Sequence, residues 1–183
     1  MKHPRLLGLV LAGGQSSRFG SDKALAEWQG ATLLMRAVDQ LSGWCDHVVI
    51  AGREAGPAPC LPDWPQPGMG PLGGLAAALR LAADEGYDCV LSIGVDSPGL
   101  PETLPALLAP APAYLAAQPV IGLWPAASAP VLEAMLLGDG SHAMRRFAEA
   151  IGARPVELDQ PLTNVNRPED LAALNRKTDQ RVI

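Results

Sequence analysis

Apolar residues in this chain arrive as short dense runs alternating with helical stripes. Leu6 to Leu11 is a continuous apolar run closed by Gly13 and Gly14, the pattern of a strand buried on both faces. From Thr32 the apolar positions Leu33, Leu34, Ala37, Val38 and Leu41 recur at helical spacing, with Thr32 as N-cap. Asp46 to Gly52 predicts a second strand. The proline-rich stretch from Glu54 to Pro71 predicts a connector without regular structure. Helical spacing resumes from Leu72 to Asp84, and Tyr87 to Asp96 predicts a third buried strand ending on an acid. Pro101 marks a helix start, with Pro105 limiting its length. "AYLAAQ" and "PVIGLW" predict two short extended pieces, the second weakened by Pro119 and Gly122. Ser141 predicts the cap of a helix carrying Met144, Phe147, Ala148 and Ile151 on one face and closed by Gly152. A short strand from Pro155 to Leu158 and a last helix opened by Pro168 complete the pattern.

Strands alternating with helices predict an α/β chain: a mainly parallel twisted sheet with helices on both faces, Rossmann-like in layout. Such sheets bind ligands beyond the carboxyl ends of their strands. Three unusual segments fall there: the glycine loop after the first strand, the proline-rich connector after the second, and Asp96 after the third. No repeat or interdomain linker interrupts the pattern. Residues 1–183 are therefore expected to form a single domain, with a first half over about 1–100 that carries these three segments and a second half over about 101–176.

Composition narrows the function. The 183 residues carry a formal net charge of −5, so the chain offers no overall field for nucleic acid or an anionic membrane. Any anion must be gripped locally. The apolar opening is too short to span a bilayer and lacks a signal-type cleavage pattern. Cys45, Cys60 and Cys89 show no CxxC spacing, and the three histidines make no ligand pattern with them. A soluble, cytoplasmic chain with reduced thiols is expected.

The glycine loop supplies that local grip. Gly13 and Gly14 let backbone amides approach an anion, Ser16 and Ser17 add hydroxyl donors, Arg18 forks onto phosphate oxygens and Lys23 adds a mobile charge. The loop is not a Walker motif, because Gly20 is followed by Ser21 and Asp22 before Lys23. "GMGPLG", from Gly68 to Gly73, has the letters of a dinucleotide fingerprint but follows a proline-rich loop rather than a strand. Asp96 suits Mg²⁺, which takes one or two carboxylates plus substrate phosphates. Residue types alone also allow an ordinary βα turn, and an aspartate capping the turn before Pro101. Asp63 is a turn residue or an acceptor for a nucleoside. Trp64 beside it reads as loop packing.

In order along the chain, "LAGGQSSRFGSDKAL", "GMGPLGGLAAAL", "GVDSPGLP", "PVIGLWP" and "TNVNRPEDLAAL" resemble the molybdenum cofactor guanylyltransferases, the MobA family. The first stretch is shared with many nucleotidyltransferases of the same fold. Its Asp-Lys pair together with the late Asn-Val-Asn segment is more specific. The resemblance implies a nucleotidyltransferase that uses GTP and Mg²⁺ to place GMP on molybdenum-molybdopterin, releasing pyrophosphate. It implies that Leu11, Ala12, Gly13 and Gly14 line the nucleotide, with Arg18 and Lys23 on its phosphates. Asp63 would then contact the nucleoside, Asp96 the metal, and Asn164 and Asn166 the pterin substrate. A molybdoenzyme-maturation protein is the partner the family implies.

This chain departs from the family pattern at three places. Phe19 stands where methionine is usual, Gly52 where an asparagine often helps to bind the nucleotide, and Arg167 where threonine precedes the last helix. Arginine is a poor N-cap, which leaves Asn166 to cap that helix. A relative using CTP or another phosphorylated acceptor, and a non-catalytic nucleotide-binding maturation protein, are the alternative readings.

Overall fold

The computed structural model describes residues 3–14 and 22–179. The strands are β1 (Leu6–Leu11), β2 (Glu27–Trp28), β3 (Ala31–Thr32), β4 (His47–Ala51), β5 (Cys60–Leu61), β6 (Cys89–Gly94), β7 (Ala113–Leu115), β8 (Gln118–Pro125) and β9 (Arg154–Val156). The helices are α1 (Leu33–Ser42), α2 (Gly70–Glu85), α3 (Leu104–Leu108), α4 (Ala129–Leu137), α5 (Met144–Ala150) and α6 (Pro168–Asp179). Seven strands form one sheet in the order β5-β4-β1-β6-β8-β7-β9, and β2 pairs with β3 apart from it. The block β5-β4-β1-β6 is parallel throughout. β8 runs antiparallel to both β6 and β7, and β9 is parallel to β7.

The alternation of side chains along β1 explains the layers. Leu7 and Leu9 pack on one face with Leu72, Leu75 and Leu79 of α2, Leu132 of α4 and Phe147 of α5. Val10 turns to the other face, with Leu34, Val38 and Leu41 of α1 and Leu104 of α3. Helices therefore cover both faces of a mostly parallel sheet, as the pattern predicts. Each fully buried leucine stabilises this arrangement by about 1.5–3 kcal/mol. Gly8 lets α1 sit close, since a Cβ there would lie 3.2 Å from the Cβ of Leu41. The N-cap of α1 is Thr32, whose hydroxyl accepts from the Met35 amide at 3.1 Å.

Several expectations need correction. The proline-rich connector is not wholly irregular, because β5 lies within it and pairs with β4 through Ile50 and Cys60. Pro59 lends only its carbonyl, which accepts from the Ile50 amide at 2.9 Å, so its missing N–H costs nothing. "GMGPLG" does open a helix, α2, with Pro71 in its first turn. α3 starts at Leu104 rather than Pro101, whose carbonyl instead closes the preceding turn by accepting from the Leu104 amide. The residue before α5 is Ala143, and no side chain caps that helix, so Ser141 is not its cap. β9 begins at Arg154, one residue before the predicted strand.

The largest difference is "PVIGLW". It belongs to β8, an eight-residue strand that joins the second half of the sheet to the first, between β6 and β7. Gly122 does not weaken it: a Cβ there would stand 2.3 Å from the Trp124 ring, so glycine makes room for that ring. Trp124 is fully buried between Tyr114 and Phe147, and its indole N–H donates to Ser92 Oγ at 2.8 Å. Ser92 in turn donates to the Val120 carbonyl at 2.6 Å, so the buried pair leaves no polar atom unmet. α4 went unpredicted. Its apolar residues lie nearly all round the helix and give no stripe to read.

Candidate functional site

The carboxyl ends of β1, β4 and β6 lie side by side, and the chain turns out of each through glycine. At the end of β1, Ala12 donates to the Ala51 carbonyl at 3.0 Å and the Leu11 carbonyl accepts from Val95 at 3.4 Å. Gly13 and Gly52 are pressed backbone to backbone. A Cβ on Gly52 would lie 2.3 Å from both Cα and N of Gly13, and Gly52 has φ +85°. Glycine at position 52 is thus dictated by this contact, and an asparagine has no room there. Gly14, with φ +130°, is exposed, and among the described residues a Cβ there would meet nothing within 4 Å.

Arg18 lies outside the described residues, as do Ser16, Ser17 and Phe19. The chain re-enters at Asp22, which caps a 3-10 turn over Lys23–Leu25 by accepting from the Ala24 amide at 3.1 Å. Both oxygens of Asp22 also take the Arg53 guanidinium, at 2.9 and 2.7 Å. That hydrogen bond holds the Asp22 carboxyl below its ordinary range and raises Arg53. Lys23 then faces Asp96, with Nζ 3.7 Å from Oδ2; the side chains are 19% and 32% exposed, open enough for a ligand to come between them.

Asp96 sits two residues beyond β6 and folds back over Gly94, where a Cβ would be 2.6 Å from its Oδ1. Its backbone carbonyl accepts from the Val165 amide at 2.8 Å, which draws the late asparagine segment to the same edge. Asn164 there accepts through Oδ1 from Gln118 Nε2, and Ser97 Oγ lies 3.1 Å from the same oxygen. Asp63 stands over the first turn of α2. A Cβ on Gly73 would be 3.1 Å from the Asp63 Cβ, and one on Gly74 would touch both Leu11 and Ala51. Gly73 and Gly74 therefore let α2 approach the strand ends with Asp63 beside them.

The structure thus brings Leu11, Ala12, Gly13, Gly14, Lys23, Asp63, Asp96 and Asn164 to one edge of the sheet. Asn166 is exposed and makes no side-chain hydrogen bond among the described residues. It does not cap α6 either: the Asp170 carboxylate accepts from the amides of Asn166 and Arg167, both at 2.9 Å. Trp64 packs on the core with Arg80 5.1 Å above its ring, as loop packing requires. A cavity of about 410 Å³ opens between α1 and the turn after β6, with Trp28, Arg36, Gln40, Gly94, Ser97 and Glu102 in its wall; Asp96 does not line it. Sequence reasoning missed Arg53, Ser97 and Gln118. The position of Arg53 directly after a strand ending in glycine was a usable signal; Gln118 offered none without the register of β8.

Asp96 is the metal candidate. Among the described residues no three His, Cys, Asp or Glu gather as ligands. One hard carboxylate next to a phosphate-type loop is the donor set that suits Mg²⁺. Chemically, this edge can hold a polyphosphate between backbone amides and Lys23 while its metal rests on Asp96.

Residues 8–160 match the family described as the MobA-like NTP transferase domain. The chain is 38% identical over 182 residues to the molybdenum cofactor guanylyltransferase of Acidiphilium cryptum, covering 92% of this chain and 93% of the relative. It is 35% identical to the enzyme of that name from Rhodobacter capsulatus, covering 92% and 94%. Its fold is similar to that of molybdopterin-guanine dinucleotide biosynthesis protein A from Archaeoglobus fulgidus, with a TM-score of 0.74 at 18% identity over 95% and 99% of the two chains.

Proposed function

The chain belongs to the MobA-like NTP transferase family and is a nucleotidyltransferase, and from that premise we propose that it transfers GMP from GTP to molybdenum-molybdopterin with release of pyrophosphate. The names of its relatives supply the substrates. The observation that carries the reading is the Lys23–Asp96 pair, a cation and a carboxylate set 3.7 Å apart at the mouth of the strands. The triphosphate would part them, its oxygens taking Lys23 while its cation takes Asp96.

In the reaction, a terminal phosphate oxygen of the acceptor forms a bond to the α-phosphorus as the bond to the β-phosphate oxygen breaks. The pair left on that oxygen departs with pyrophosphate. Lys23, with Arg18, neutralises the leaving group, and the amides around Gly13 and Gly14 hold the phosphates in line. Mg²⁺ on Asp96 would supply further neutralisation of phosphate charge. Asp63 contacts the nucleoside from beside the first turn of α2, and Asn164 and Asn166 serve the acceptor. The nucleotide half is assigned to about 1–100 and the acceptor half to about 101–176.

Among the described residues no helix is long and apolar enough to cross a membrane. We place the protein in the cytoplasm, handing its product to a molybdoenzyme-maturation protein. Its cysteines are free, and burial pushes the Cys45 thiol up to about 12, helped by the neighbouring Asp46 charge.

The test is pyrophosphate release from GTP and from CTP, with Mg²⁺, with and without molybdenum-loaded molybdopterin. Release from GTP that requires the pterin is expected. Release from CTP would move the enzyme to a cytidylyl reaction on the same scaffold. Silence with both nucleotides, from protein that still binds them, would leave a binding protein or another acceptor.

A further inference from the structure

We infer that Ser97 and Gln118 are positioning residues that lock the carboxamide of Asn164, so that its NH2 edge rather than its oxygen meets the terminal phosphate of the acceptor. The inference rests on the guanylyltransferase reading and specifies what Asn164 recognises. A carboxamide has one acceptor oxygen and two N–H donors. In Asn164 the oxygen is taken: it accepts from Gln118 Nε2, with Ser97 Oγ 3.1 Å away. The Ser97 hydroxyl donates to Gln118 Oε1 at 2.6 Å, and in this arrangement the NH2 end of Gln118 is the one that faces Asn164. Among the described residues the NH2 of Asn164 has no acceptor.

The lock is built into the frame of the site. Ser97 is 3% exposed and directly follows Asp96, while Val165, directly after Asn164, donates its amide to the Asp96 carbonyl at 2.8 Å. Asn164 is thereby held to Asp96 from two sides. Gln118 is the first residue of β8 and pairs with Leu115 of β7, so the second half of the sheet sets its place. Phosphate oxygens are acceptors. A pair of N–H donors beside Asp96 would seat the attacking phosphate, whereas a turned carboxamide would present oxygen to oxygen.

The experiment compares wild type with Gln118→Glu, which keeps the shape but loses the NH2 donor, and with Ser97→Ala. Pyrophosphate release would be followed against acceptor and against GTP. Losing one hydrogen bond to a charged group predicts a fall of about 10- to 100-fold in kcat/KM for the acceptor. The KM for GTP should stay within about twofold, because the change alters a bond to the acceptor alone. Gln118→Glu should cost nothing further in an Asn164→Ala background, since its effect runs through Asn164. Additive losses there, or an unchanged acceptor kcat/KM in both single variants, would overturn the inference.

A second readout needs no turnover. In protein labelled with 15N-asparagine, the side-chain NH2 signals of Asn164, assigned by their absence in Asn164→Ala, should move in Gln118→Glu and in Ser97→Ala. Added inorganic phosphate, standing in for the terminal phosphate of the acceptor, should shift them in wild type and not in Gln118→Glu. Signals indifferent to both substitutions would sink the lock. A wild type that never releases pyrophosphate would count against the guanylyltransferase reading, while these signals would still decide the lock.

Discussion

The two halves of the sheet hold their functional groups by different means. In the parallel block β5-β4-β1-β6 the backbone does the positioning. Gly13 against Gly52, Gly94 beneath Asp96, and Gly73 and Gly74 beside Asp63 are places where a side chain would collide. The charges there, Lys23 and Asp96, sit on short turns and face each other loosely at 3.7 Å. Where β6 meets the block β8-β7-β9, side chains do the positioning: Ser97 after β6, Gln118 of β8 and Asn164 are joined by hydrogen bonds, as are Ser92 of β6 and Trp124 of β8. A site that must admit a large anion keeps its charges accessible and its frame free of side chains. A site that must orient one amide needs every other atom of the network satisfied.

Breaking the first half at its charge should give the largest effect. Lys23→Ala removes the cation facing Asp96, and a fall of about 10²–10³ in kcat is expected, the scale of losing one preorganised charge or donor. Steady-state pyrophosphate release measures it, and the melting temperature should hardly change, since the ion pair is partly exposed.

Next comes the frame. Gly52→Ala puts a Cβ 2.3 Å from Gly13 at φ +85°, so the end of β4 and the glycine loop must separate. A destabilisation of about 1–3 kcal/mol is expected from strain of this kind. Thermal unfolding reads the stability and calorimetry the GTP affinity, and the two should fall together. Unchanged affinity would show that the Gly13 loop is not held by this contact.

The matching cut at the junction with the second half is Ser92→Ala, on β6, which strands the indole N–H of the buried Trp124 of β8. The expected cost is about 1–3 kcal/mol in stability, read by urea unfolding. GTP affinity should be untouched, unlike in Gly52→Ala. That contrast sharpens the division between the halves.

The smallest effect belongs to Arg53→Ala. Arg53 holds the folded-state pKa of Asp22 below the ordinary value of an aspartate. The pair's stabilisation is therefore fully present above that value and disappears as pH falls through the depressed folded value. Because solvent screens the pair, its worth at neutral pH is within about 1 kcal/mol. Unfolding curves of wild type and variant should differ slightly at pH 7 and converge in acid.

Much of the first half was legible along the chain. Leu6–Leu11, Thr32 and its helix, and the acid after β6 are local signals: an apolar run, a cap at the head of a stripe, a charge at a strand end. The glycines announced themselves as motifs, although their reason, backbone pressed on backbone, needs the neighbouring strand. The second half was harder to read because its logic is nonlocal. Gly122 looks like a strand breaker until the Trp124 ring is seen to need its space, and β5 hides among prolines because its ladder needs only a few donors. Gln118 and Ser97 carry no motif, and only the antiparallel return of β8 brings them to Asn164. Asp170 took the capping task that Arg167 appeared to leave to Asn166, through a carboxylate reaching back three and four residues.

The measurement closest to the central claim is turnover of Asp96→Asn with GTP, Mg²⁺ and molybdenum-loaded molybdopterin, set beside GTP binding by the same protein. Asparagine keeps the shape over Gly94 and removes the charge. Catalysis should fall by about 10²–10³ while the fold and the melting curve persist. Turnover within twofold of wild type would contradict the account, since Asp96 would then carry neither the metal nor the reaction.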